Sequence, residues 1–93
     1  KPIGKYGKIH LDYLKQHRRG RYSTMLGEGR LNDYLSEIDE QAHEMLSSLT
    51  VKLAKTQGID EYLKKTDQMR WVQMMNSVRN SAEEIIMREL ILA

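Results

Sequence analysis

The sequence predicts an all-α fold: a small helical bundle in which two short N-terminal helices precede two long antiparallel ones. Three observations predict it. Helix formers (Leu, Met, Lys, Glu, Gln) are abundant, whereas the chain has one Pro, no Phe and few β-branched residues. Apolar–polar alternation never persists beyond a few positions, while apolar spacings of three and four recur along two long stretches. Glycines fall between the periodic stretches, where they suit the ends of helices. At 93 residues the chain forms one domain, 1–93, too short for two independent cores, with 40% hydrophobic residues to fill one.

The first helix is expected over roughly 4–18. Pro2 precedes it, and Tyr6, Ile9, Tyr13 and Leu14 share a face. Gly4 and Gly7 weaken its first turn and predict fraying there. A second, short helix is expected over about 21–28, with Tyr22, Met25 and Leu26 on one side and Gly20 and Gly29 bracketing it in left-handed positions. The third is the most regular. Leu31, Leu35, Ile38, Ala42, Met45, Leu49 and Leu53 form a near-heptad seam, and Gly58 ends it. Asp60 then caps a short turn carrying Ile59, Tyr62 and Leu63, and Thr66 or Asp67 caps a last helix running to about Leu92. Its apolar positions include Trp71, Met75, Val78, Ala82, Ile85, Ile86 and Leu90. Short connections make neighbouring helices antiparallel.

The net charge of +2 hides a polarised chain. Residues 1–30 hold eight Lys/Arg against two acids, a balance of +6; residues 31–58 balance at −3 and residues 59–93 at −1. The basic N-terminal third is densest at Lys15-Gln-His-Arg-Arg-Gly-Arg21. Clustered Arg and Lys neutralise phosphates without reading bases, and Arg can fork onto a phosphate. Tyr13 and Tyr22 lie close enough in sequence to offer stacking surfaces. The candidate nucleic-acid contacts are therefore Lys15, Arg18, Arg19 and Arg21, with Lys5 and Lys8 assisting. Arg19-Gly20-Arg21 has the centre of a minor-groove hook without its flanking prolines. The bland alternative is a solvated helix end whose arginines complement the helix dipole. A helix-turn-helix, with Arg21–Gly27 as recognition helix, has only Arg21 to offer as a basic contact.

Catalytic and metal readings find less support. Glu40 and His43 share one helical face, but one such pair lacks the ligand count of a di-metal bundle. His43 adjoins Ala42 and suits the edge of the core; His10 and His17 are expected at the surface. Asn76 and Asn80 lie one turn apart and can fix helix register if buried, and Arg79 with Glu83 forms an i,i+4 pair. No nucleophile–base–orienter set is present, and Gly27-Glu-Gly29 is no phosphate loop. The Met and Trp stripe reads as core. No catalytic residue, metal site, cofactor or small-molecule substrate is expected. The absence of Cys excludes disulfides and thiolate chemistry, and no apolar run is long enough for a membrane span. A soluble, cytoplasmic protein is the expectation.

Several segments together resemble the TnpV family of transposon-encoded proteins. They are Pro2-Ile-Gly-Lys-Tyr-Gly7, Leu11, Tyr13-Leu-Lys15, Leu35 and Glu37-Ile-Asp-Glu-Gln-Ala42, then Asp67-Gln-Met69, Trp71-Val72, Met75-Asn76, Arg79, Ala82-Glu-Glu-Ile85 and Glu89-Leu90. The resemblance runs in order over nearly the whole chain; family members begin with an additional N-terminal stretch. It implies an accessory protein of a bacterial mobile element rather than the recombinase, carries no active site, and makes DNA a natural partner. The resulting expectation is a non-enzymatic accessory protein that binds DNA or a nucleoprotein complex through its basic N-terminal region. A protein-binding helical module that engages a recombinase or host protein is the alternative. Self-association is expected through the long helices, with Ile85-Ile-Met87 and Leu90-Ile-Leu92 as the surplus apolar surface.

Overall fold

A computed structural model describes residues 2–93. Five helices appear in the order α1 (Lys5–His17), α2 (Arg19–Gly27), α3 (Leu31–Thr56), α4 (Glu61–Thr66) and α5 (Gln68–Ile86), and a π-helical segment, Met87–Ile91, prolongs the last. No strand is present among the described residues. The molecule measures 55 × 24 × 18 Å, a length set by α3, whose 26 residues rise about 39 Å.

Helix α3 is the spine. Its seam buries Leu35, Ile38 and Ala42 and half-buries Leu31, Met45, Leu49 and Leu53. Helix α5 runs antiparallel along it with Val78, Ala82 and Ile86 buried, and α1 lies antiparallel across its first half. Two apolar clusters result. One joins Tyr6, Ile38, Ala42, Ile86 and Ile91; the other joins Leu14, Met25 and Leu35, and Tyr34 packs against both. Each fully buried Leu or Ile contributes about 1.5–3 kcal/mol by leaving water.

The helix ends follow local chemistry. Asp60 Oδ1 accepts from Leu63 N–H at 2.9 Å and Asp67 Oδ1 from Arg70 N–H at 3.2 Å, each capping the helix that follows. Gly29 and Gly58 both sit at φ +70°. At α2, Arg30 N–H donates to Met25 O and Gly29 N–H to Leu26 O; at α3, Ile59 N–H donates to Ala54 O and Gly58 N–H to Lys55 O. Both ends are thus Schellman motifs, and Ile59 is buried beyond the second.

Four features differ from the sequence expectations. Helix α2 begins at Arg19, not Arg21, with Gly20 inside it. The break from α1 is made by Arg18 alone, at φ −141° and ψ 51°, so no left-handed glycine is needed. One residue between α1 and α2 leaves no turn for the helix-turn-helix weighed there and found poor in basic contacts. The first turn of α1 is tied down rather than frayed: Asp39 Oδ1, from α3, accepts from Tyr6 N–H and Gly7 N–H, both at 3.0 Å. A Cβ on Gly4 would meet the Asp39 carboxylate at 2.6 Å, and one on Gly7 would meet Ile3 Cγ2 at 2.4 Å and Leu35 O at 3.0 Å. These glycines therefore permit the close approach of α1 to α3.

The fourth difference is the C-terminal end. Leu92 N–H donates to Met87 O at 2.8 Å, five residues back, and this wider turn places Ile91 rather than Leu90 beneath Ile86. Ile86 and Ile91 are fully buried, Ile85, Met87 and Leu90 half-buried, and only Leu92 of the two C-terminal apolar runs is exposed. That segment closes the core against α1 and α3, so most of the surplus apolar surface lies elsewhere: Leu26 is exposed on α2, and Val51, Tyr62, Met69 and Val72 are exposed near the far end of the spine.

Candidate nucleic-acid interface

The basic cluster is built by the α1–α2 junction. On α1, Tyr6, His10 and Leu14 face the core, which turns Lys5, Lys8 and Lys15 outward; Lys8 and Lys15 share a stripe with Asp12 between them. Arg18 forms the break, and Arg19 and Arg21 occupy the first turn of α2, whose N-terminus has no side-chain cap. The N-terminus of α2 thus abuts the C-terminus of α1, whose dipole has the opposite sign, so the guanidinium groups carry whatever attraction this end has for anions.

Three of the four central cations lean on tyrosines. Lys15 Nζ lies 5.7 Å from the Tyr22 ring, the Arg18 guanidinium 5.8 Å from Tyr13, and the Arg21 guanidinium 5.8 Å from Tyr34. Arg18 Nη1 also donates to His17 O at 3.0 Å. Exposed cation–π contacts are worth about 0.5–1 kcal/mol each, enough to bias rotamers while the charges face water. Lys15, Arg18, Arg19 and Arg21 are exposed, and none pairs with a carboxylate among the described residues. Lys5 differs: its Nζ lies 3.4 Å from Glu83 Oε2, which draws it toward α5.

Behind the cluster runs a polar chain that the sequence did not reveal. His10, expected at the surface, is 1% exposed. Its Nδ1 lies 2.6 Å from Ile91 O and its Nε2 2.9 Å from Tyr34 Oη. A carbonyl only accepts, so Nδ1 carries the hydrogen, and in the neutral ring Nε2 accepts from the Tyr34 hydroxyl. The Tyr34 oxygen then accepts from Arg21 Nη2 at 3.1 Å. A lone histidine on a helix with apolar neighbours gives no sign of this, because its partners are 24 and 81 residues distant.

A second, partly buried polar set holds the other end of α1. The Tyr6 hydroxyl donates to Glu83 Oε2 at 2.8 Å. Burial, then this bond to a carboxylate, push the Tyr6 hydroxyl up to about 12, while the bond from Tyr6, opposed by desolvation and aided by Lys5, holds the Glu83 carboxyl below its usual range. Glu83 thus serves α1 instead of pairing with Arg79, and Asn76, Arg79 and Asn80 are exposed rather than in the helical seam. His43 Nε2 faces Asp39 Oδ2 at 3.4 Å and the edge of Tyr6. Among the described residues no group of three or more His, Asp or Glu is placed to hold a metal ion, and no helix is long and apolar enough to cross a membrane.

A family model described as "Transposon-encoded protein TnpV" matches residues 1–91, and the chain belongs to that family. No curated protein and no solved structure matches the chain.

Proposed function

We propose that this member of the TnpV family is a cytoplasmic, non-enzymatic accessory protein of its transposon that binds duplex DNA through the α1–α2 junction. The observation that supports the reading is that Lys15, Arg18, Arg19 and Arg21, at the α1–α2 junction, are exposed and without carboxylate partners among the described residues. Cations paired with the acidic face of α3 would have favoured a protein partner. Lys8 extends the cluster along α1, and Lys5, paired with Glu83, stands at its margin. Such contacts are made to the phosphate backbone and tolerate any sequence.

The test is duplex binding by fluorescence anisotropy over a salt series, on two unrelated sequences. About four phosphate contacts give a log–log slope near −3.6, equal on both. Absence of binding at low salt would overturn the reading.

A second activity is favoured by a different observation. Val51, Tyr62, Met69 and Val72 leave apolar surface at the end opposite the arginines. This surface suits self-association or engagement of a recombinase, and leaves the basic end free for DNA.

A further inference from the structure

We propose that the cleft between α2 and α3, walled by Arg21 and Arg30, is a phosphate-binding site that seats one backbone phosphate of the bound nucleic acid. The source of the phosphate rests on the DNA reading above; the recognition chemistry rests on the cleft itself.

The cleft has a volume of about 430 Å³ and is lined by Gly20, Arg21, Thr24, Met25, Arg30 and Tyr34. Arg21, Arg30 and Thr24 bring two guanidinium groups and a hydroxyl to its lining, and Gly20, where an added Cβ would meet nothing within 4 Å, adds no side chain; such a donor set suits a tetrahedral anion. Arg21 is held before any ligand arrives. Its Nη2 is fixed on the Tyr34 oxygen, Tyr34 is fixed by His10, and His10 is buried and anchored on Ile91 O. That chain occupies one of the five N–H donors of Arg21 and leaves the others for a ligand. A donor already oriented loses less entropy on binding than a free surface arginine. Arg30 is paired at 2.7 Å with Glu28, two residues away in the chain and half-exposed, so a phosphate can replace that partner at small cost.

Tyr34 and His10 are thus positioning residues, and Arg21 and Arg30 the phosphate contacts. The shared phosphate separates charge from positioning. With a fluorescein-labelled duplex in a salt series, Arg21→Gln together with Arg30→Gln should flatten the log–log slope by about 0.9, the one phosphate they share, whereas Arg30→Gln alone should weaken binding roughly tenfold while Arg21 keeps that phosphate neutralised. Tyr34→Phe should weaken binding about fivefold, the equivalent of one ordinary hydrogen bond, with the slope unchanged because Arg21 keeps its charge. Melting followed by circular dichroism checks that these variants fold; Arg30 is exposed and outside the core, so its variant keeps the test decisive.

In parallel, inorganic phosphate titrated into the parent protein should shift the Nε–Hε NMR signals of Arg21 and Arg30 ahead of those of Arg70 and Arg79. A parent that binds duplex while Arg30→Gln retains its affinity would overturn the cleft and leave the DNA reading standing. A parent that ignores duplex yet shows the phosphate shifts would uphold the cleft and overturn DNA as its source. Parent-like affinity in Tyr34→Phe would remove the positioning role.

Discussion

Asp39 couples two helices through a single carboxylate. One oxygen caps α1, whose own N-cap residue Gly4 has no side chain to do so, and the other faces His43. Replacing Asp39 by Ala should lower stability by about 1–2 kcal/mol, as loss of a helix cap does, and expose the amides of Tyr6 and Gly7 to hydrogen exchange; unchanged exchange there would refute the capping role. Tyr6 and Glu83 predict a pH dependence. The folded-state pKa of Tyr6 is raised from 10.0 to about 12, so its contribution is complete below pH 10 and lost as pH climbs toward 12. Glu83, whose folded value is lowered, contributes above the ordinary carboxylate range and loses that contribution in acid. Tyr6→Phe should cost about 1 kcal/mol at neutral pH and weaken both the acid and alkaline declines in Tm. Identical pH profiles for parent and variant would contradict the pairing. None of these roles was legible in the sequence. Periodicity assigns Asp39 no role, and Gly4 and Gly7 read as weak points, because their partners are brought in from other helices.

At the scale of elements, the sequence was most legible where chemistry is local. Asp60 and Asp67 as caps, and Gly29 and Gly58 as stops, act on backbone within a few residues and could be read directly. Gly20 misled because a glycine beside a helix reads as a stop, whereas here Arg18 makes the break. The π-helical turn was hidden since Leu90, Ile91 and Leu92 are all apolar and any of them could have faced the core. The two glycines yield a paired prediction. Gly58→Ala forces a left-handed alanine and should cost about 1 kcal/mol, while Gly20→Ala, in ordinary helical backbone with free space around it, should be neutral or stabilising by up to about 1 kcal/mol. Denaturant melts of the two variants decide it; equal destabilisation would contradict the assignment of the stops.

At the scale of the molecule, the arginine cluster lies at the α1–α2 end of the spine, and four of the large exposed apolar side chains, Val51, Tyr62, Met69 and Val72, lie toward the other. The basic third of the chain is evident in composition, but the burial of Ile91 in place of Leu90 follows from the π turn and could not be read from periodicity. Met69→Asp with Val72→Asp should abolish self-association in sedimentation equilibrium without altering helicity, and a parent that is monomeric throughout the micromolar range would dismiss that surface. The proposed DNA contact belongs to the arginine end rather than to positive charge in general. It is tested by comparing two variants of equal charge change over a salt series: Arg18, Arg19 and Arg21 to Ala at the junction, and Lys52, Lys64 and Lys65 to Ala at the opposite end. The junction variant should flatten the log–log slope by two to three contacts' worth, about 1.8–2.7, since Arg30 remains on the phosphate it shares with Arg21, and the distal variant should keep the parent slope. Equal losses in the two variants, or a junction variant that binds as the parent does, would contradict the account.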